Sequence, residues 1–137
     1  MAKALSHHDA LIYVMVTTAA VDGTISDSEL GRIGNMVSNL PVFADFDEED
    51  LVPVAEACGK VLAGNDGLNK ILELIAKHLP ERLHETAYAL AVDVAAADLK
   101  VQQEELRFLE LLRDKLDLSQ LVVAAIERGA RARHRTK

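Results

Sequence analysis

Four carboxylates carry the chemistry that this sequence could perform. Asp22 stands seven positions before Glu29 in Asp22-Gly-Thr-Ile-Ser-Asp-Ser-Glu29, and Asp98 stands seven before Glu105 in Asp98-Leu-Lys-Val-Gln-Gln-Glu-Glu105. Each copy lies between an Ala-rich apolar stretch and a new amphipathic one. Each therefore puts one carboxylate at a helix end and another in the first turn of the next helix. Oxygen donors of this kind suit a hard divalent cation. They also suit plain helix capping.

Capping accounts for part of the pattern. Ser26 with Glu29 three residues on reads as a capping box, and Ile25 with Leu30 reads as a hydrophobic staple. In the second copy Val101 and Leu106 keep the staple, and Glu105 can still receive a backbone donor, although Gln102 is a poor cap. Asp22 and Asp98 are less well explained, with an Asx turn after the preceding helix as their structural alternative. Asp22-Gly23-Thr24-Ile25-Ser26 followed by Glu29 matches the latter part of a calcium loop. Its earlier ligand places fall on Thr18 and Ala20 inside a predicted helix, so a complete loop is absent. One linker supplies too few ligands. A single ion held by Asp22, Glu29, Asp98 and Glu105 requires a fold that brings both copies together.

The elements that must position these acids are helical throughout. Leu11, Ile12, Met15, Val16, Ala19 and Ala20 mark a first helix over about residues 6–21, and Leu30, Ile33, Val37 and Leu40 a second, stopped by Pro41. Asp47 is a plausible cap for a third, with stripe Leu51, Val54, Ala55, Cys58, Val61 and Leu62 and an end near Gly64. Asn65-Asp66-Gly67 signals a turn into a fourth, carrying Leu68, Ile71, Leu72, Ile75 and Leu79. Pro80 suits the first turn of a fifth, whose buried face is Leu83, Ala87, Tyr88, Ala91, Val94 and Ala95. Leu106, Leu109, Leu112 and Leu116 give a sixth, and Leu118, Val122, Val123 and Ile126 a seventh. No window alternates as a strand would.

Thr18 to Leu30 and Val94 to Leu106 align at an offset of 76 residues, with identities at Ala19/Ala95, Ala20/Ala96, Asp22/Asp98, Glu29/Glu105 and Leu30/Leu106. The fold class expected is all-α: one compact, pseudo-symmetric bundle of about seven helices, with the two linkers near one another. At 137 residues, half of them apolar, the chain makes one domain over residues 1–137.

Composition narrows the function. A net charge of −7 argues against nucleic-acid binding by the body of the protein. Cys58 is the single cysteine, which rules out an internal disulfide and a thiolate zinc cluster. The opening residues lack an export signal's basic and apolar regions, and no apolar run approaches the roughly 20 residues of a membrane span, so a cytoplasmic protein is expected. Arg128, Arg131, Arg133, Arg135 and Lys137 form a basic tail over about residues 128–137, leaving −12 on residues 1–127. That tail reads as a frayed, soluble helix end, or as a weak contact for an anionic membrane surface or partner. Asp45, Asp47, Glu48, Glu49 and Asp50 read as a solvated helix start or as a surface for a basic partner.

Other candidates for chemistry are weaker. His7 and His8 are adjacent and expected at the surface, His78 and His84 straddle Pro80 without a third ligand, and His134 belongs to the tail. Cys58 shares an apolar stripe, so core packing is expected of it. No spacing offers a nucleophile with a positioned base. Paired carboxylates can do acid and base work, but only with a pocket, and the expectation is that the protein is not an enzyme.

The chain resembles the tellurite-resistance TerB-like family. The resemblance rests on Ala19 through Ser26 with Glu29-Leu30, on Ala95-Ala96-Ala97-Asp98 through Glu104-Glu105-Leu106-Arg107-Phe108-Leu109, and on Leu112 to Leu118 as a closing segment. It implies a bundle of about seven helices and an acidic cluster, at Asp22, Glu29, Asp98 and Glu105, for a divalent metal: calcium, zinc or magnesium. It also implies a tie to tellurite resistance and chemical stress through complexes with other proteins at the inner face of the membrane. Leu99 stands where the second motif typically carries Gly, which makes a left-handed turn there harder. Two function classes follow: a metal-responsive adaptor of a stress assembly, and a structural protein-interaction bundle without metal. A small enzyme using paired carboxylates is the remaining alternative.

Overall fold

The computed structural model describes residues 5–20, 25–97 and 103–136. Asp22 and Asp98, with Gly23, Leu99, Val101 and Gln102, lie outside the described residues. Seven α-helices are described, α1 (His7–Ala19), α2 (Asp27–Asn39), α3 (Leu51–Ala63), α4 (Gly67–His78), α5 (His84–Ala97), α6 (Gln103–Lys115) and α7 (Gln120–Arg133), with three 3-10 turns and no strand among the described residues. The chain is all-α, as its periodicity predicts.

α1 and α5 form the centre because they carry almost no charge. Between Asp9 and Asp22 there is no charged residue, and between Glu85 and Asp98 only Asp93. A helix that is apolar all round has no face to give to water. Accordingly Leu11, Ile12, Val14 and Met15 are wholly buried on α1, and Ala87, Tyr88 and Ala91 nearly so on α5. α1 packs on α5, α3, α4, α2 and α6, while α5 packs on α1, α7 and α6. The second half thus stacks its helices on α5 much as the first stacks them on α1.

Several local features differ from the sequence expectation. α1 starts at His7 because Ser6 and Asp9 make a reciprocal capping box, a signal the apolar stripe did not carry. His8 is not at the surface: it is 7% exposed, with Nε2 2.9 Å from the Val42 carbonyl and 3.1 Å from Asp45 Oδ1, between the rings of Phe43 and Phe46. Asp47 caps a 3-10 turn at Glu48–Asp50, and α3 follows at Leu51. Pro80 likewise precedes a 3-10 turn at Glu81–Leu83 and not the first turn of α5. Gly67 lets α4 start hard against the end of α3, where any Cβ would collide with the carbonyls of Val61 and Leu62.

Two faces also moved. Leu106 was expected in the buried stripe of α6 but is 48% exposed; Leu112 and Leu116 are buried as expected, joined by Glu105 and Phe108. The basic C-terminal segment is helical through Arg133, with Ala130 buried and Arg133 Nη2 2.6 Å from Asp93 Oδ1 on α5.

Candidate site between the two acidic junctions

Of each motif's acid pair the second member is described, Glu29 in one and Glu105 in the other, and the two are held differently. At the start of α2, Ser26 Oγ accepts the Glu29 N–H at 3.1 Å and Glu29 Oε1 accepts the Ser26 N–H at 3.1 Å, the expected capping box. Ile25 and Leu30 both pack on the core beneath it, as a staple requires. One Glu29 oxygen is thereby committed, and the other is not part of the box. Glu105, in the first turn of α6, is only 6% exposed. Burying a carboxylate is costly without compensation, and Glu105 is not without a partner in the fold.

Glu29 and Glu105 line one cleft of about 390 Å³. The ends of α1 and α5 contribute Ala19, Val94 and Ala97, while Arg32, Ile33 and Met36 of α2 form one wall. Arg133 and His134, at the end of α7, stand at its edge, both turned to Asp93 at 2.6 and 3.6 Å. The fold therefore brings the second acid of each motif to a common opening. Their partners Asp22 and Asp98 lie outside the described residues. Among the described residues no three His, Cys, Asp or Glu side chains gather as a metal site.

The opening has an explanation in the repeat. At the 76-residue offset, which superposes α1 on α5 and α2 on α6, Arg32 pairs with Phe108, Met36 with Leu112, Asp93 with Thr17 and Val94 with Thr18. The first member of every pair lines the cleft. The second member of every pair is 0% exposed. Thr17 Oγ1 of α1 and Cys58 Sγ of α3 are 3.5 Å apart in a buried neutral contact, whereas at the matching place on α5 Asp93 meets Arg133 and His134 at the end of α7. The Phe108 ring fills one half, while Arg32 at the matching position is exposed at the cleft.

The remaining candidates do not converge on this site. Cys58 is core, as expected: burial pushes its thiol up to about 11, only partly offset by the Thr17 hydrogen bond. A thiol so held is protonated and a poor nucleophile. His84 Nε2 lies 3.3 Å from the Leu79 carbonyl, a local contact in the turn before α5. Tyr88 Oη donates to Glu127 Oε2 at 2.6 Å, tying α5 to α7, and burial together with that carboxylate raises the phenol far above its usual range.

Taken together, the fold and the site define an all-helical bundle in which Glu29 and Glu105, in the first turns of α2 and α6, line one cleft. The sequence profile of the family described as tellurite resistance protein TerB matches residues 8–128, and the chain belongs to that family. No curated protein and no solved structure matches the chain.

Proposed function

We propose that the two junctions together hold one divalent cation through Asp22, Glu29, Asp98 and Glu105, and that the ion stiffens the α1–α2 and α5–α6 pairs. On this reading the protein is a metal-responsive adaptor in a tellurite-resistance or chemical-stress assembly. The observation that supports it is the meeting of Glu29 and Glu105 at one cleft although they are 76 residues apart. Four carboxylates favour calcium or magnesium over zinc, which prefers nitrogen and sulfur donors. The sole thiol, Cys58, is buried in the core.

Partners are other proteins of that assembly, met through the acidic surface at Asp45–Asp50 and the exposed cations of α7. No helix among the described residues is long and apolar enough to cross a membrane. Contact with an anionic membrane surface at the cytoplasmic side would be peripheral and salt-sensitive, through Arg128, Arg131 and Arg135. Nucleic acid is not an expected partner. A catalytic role has less support, since Glu29, Asp93 and Glu105 line the cleft without a nucleophile among its lining residues.

Calorimetric titration with calcium, magnesium and zinc, repeated after Asp22→Ala, Glu29→Ala, Asp98→Ala and Glu105→Ala, tests the reading. Saturable binding that each substitution weakens supports it. Heats unchanged by all four would leave the second reading, a protein-interaction bundle without metal. That reading is favoured by the complete capping box in which Glu29 already takes part.

A further inference from the structure

A second groove, of about 620 Å³, lies where the start of α1 meets the segment leading into α3. Phe46, Pro53, Val54 and Ala57 give it an apolar floor, and Asp9, Asp45, Asp47 and Asp50 stand around that floor. None of these acids pairs with a lysine or arginine among the described residues. Asp9 and Asp47 accept backbone N–H groups, which leaves their charge in place, and Asp45 faces the buried His8 at 3.1 Å. Four carboxylates against one imidazole select a basic occupant, and the floor selects one with apolar side chains as well.

The outer face of α7 has that chemistry. Leu121, Ala124, Arg128 and Arg131 recur at intervals of three and four, and Arg135 extends the stripe past the helix end. All five are exposed, Leu121 to 81%. None of these three arginines meets an acid among the described residues, unlike Arg133, which turns to Asp93. The fold keeps the two surfaces apart: α7 packs on α5, whereas the groove is built on α1 and α3, and no residue of α7 lines it.

We propose that the groove takes the outer face of α7 from a second copy of this chain, with Leu121 and Ala124 on the floor and Arg128 and Arg131 among the aspartates. The joined patches are different surfaces, so the contact is head-to-tail, and every assembly keeps one open groove and one free α7 from which it can grow. One helix face in one groove is a small interface, so the association is weak and salt weakens it further. The proposal deepens the reading of the two charged surfaces as contact surfaces and does not depend on the cation.

The test uses the full chain with a chelator present, followed by sedimentation equilibrium over a range of concentrations at about 20 mM and about 500 mM salt, where the screening length is roughly 20 Å and roughly 4 Å. The expected result is an average mass that climbs past the dimer at low salt and returns to the 14.9 kDa of one chain at high salt. Asp45→Lys/Asp50→Lys and Arg128→Glu/Arg131→Glu should each weaken self-association at least about tenfold. Mixed together, those two variants should form a 1:1 dimer and nothing larger, since each supplies the surface that the other has lost. Leu121→Ser, at a position too exposed to disturb the fold, should weaken association about fivefold with the melting temperature unchanged. The proposal is overturned by a chain that stays single at low salt, by association that salt does not reduce, by assembly that stops at the dimer, or by variants that fail to join. It is equally overturned if the chain binds phosphatidylserine vesicles through Arg128 and Arg131 without self-associating, which assigns the stripe to lipid. None of these results bears on metal binding, which calorimetry reads separately.

Discussion

The α1 and α6 side of the bundle and its repeat image around α5 and α2 use equivalent positions to opposite ends. On the first side Thr17, Phe108 and Leu112 close into core. On the second, Asp93, Arg32 and Met36 line a cleft. Duplication can supply two frameworks of similar shape, but only one of them is needed to hold the fold together. The other is released to carry charge, and here it does so beside the two acids that the motifs share.

That comparison predicts a steep asymmetry in stability. Phe108→Ala removes a wholly buried ring and should cost about 3–5 kcal/mol in denaturant unfolding. Arg32→Ala, its image at an exposed position, should change stability by no more than about 0.5 kcal/mol. Similar costs at the two positions would break the comparison.

Alkaline pH sharpens it. The folded-state value of the Cys58 thiol lies above its ordinary 9.0, at about 11, so burial favours the neutral thiol. The associated stability is whole below pH 9 and is lost as pH rises from about 9 to about 11, on the order of 3 kcal/mol. Thermal melts across that window should show the fall, and Cys58→Ala should flatten it up to about pH 10, above which the raised phenols of Tyr13 and Tyr88 add a loss of their own, while His134→Ala does not.

Smaller effects belong to the caps and the surface pair. Ser26→Ala deprives α2 of the box that also holds Glu29, and should cost about 1 kcal/mol. Asp93→Asn loses an ion pair with an exposed arginine and should cost about 0–1 kcal/mol, far less than a buried contact between helices would. A loss of several kcal/mol at Asp93 would mean that α7 is docked as firmly as α3.

Much of this architecture is legible in residue order. The seven helices follow from apolar spacing, and the Ser26–Glu29 box and the buried Cys58 follow from local chemistry. Placement of α6 does not: its leucines at 106, 109, 112 and 116 suggest one stripe, yet packing on α1, α4 and α5 turns Phe108 and Glu105 inward and Leu106 out. Only tertiary contact decides between two stripes that share Leu112 and Leu116. His8 misleads in the same way, since its burial depends on Val42, Asp45 and the rings of Phe43 and Phe46, more than 30 residues along the chain. The cleft belongs to no single segment. The repeat register nevertheless holds a signal for it, because Arg32 opposite Phe108 and Asp93 opposite Thr17 are charged images of core residues.

The convergence of the two motifs on one ion is tested most directly by a calcium-binding double-mutant cycle on Glu29→Gln, Glu105→Gln and the pair, read by calorimetry with stoichiometry. The account predicts one ion per chain, weakened by either substitution, with the two effects strongly non-additive. Two independent sites, or strictly additive effects, would contradict it.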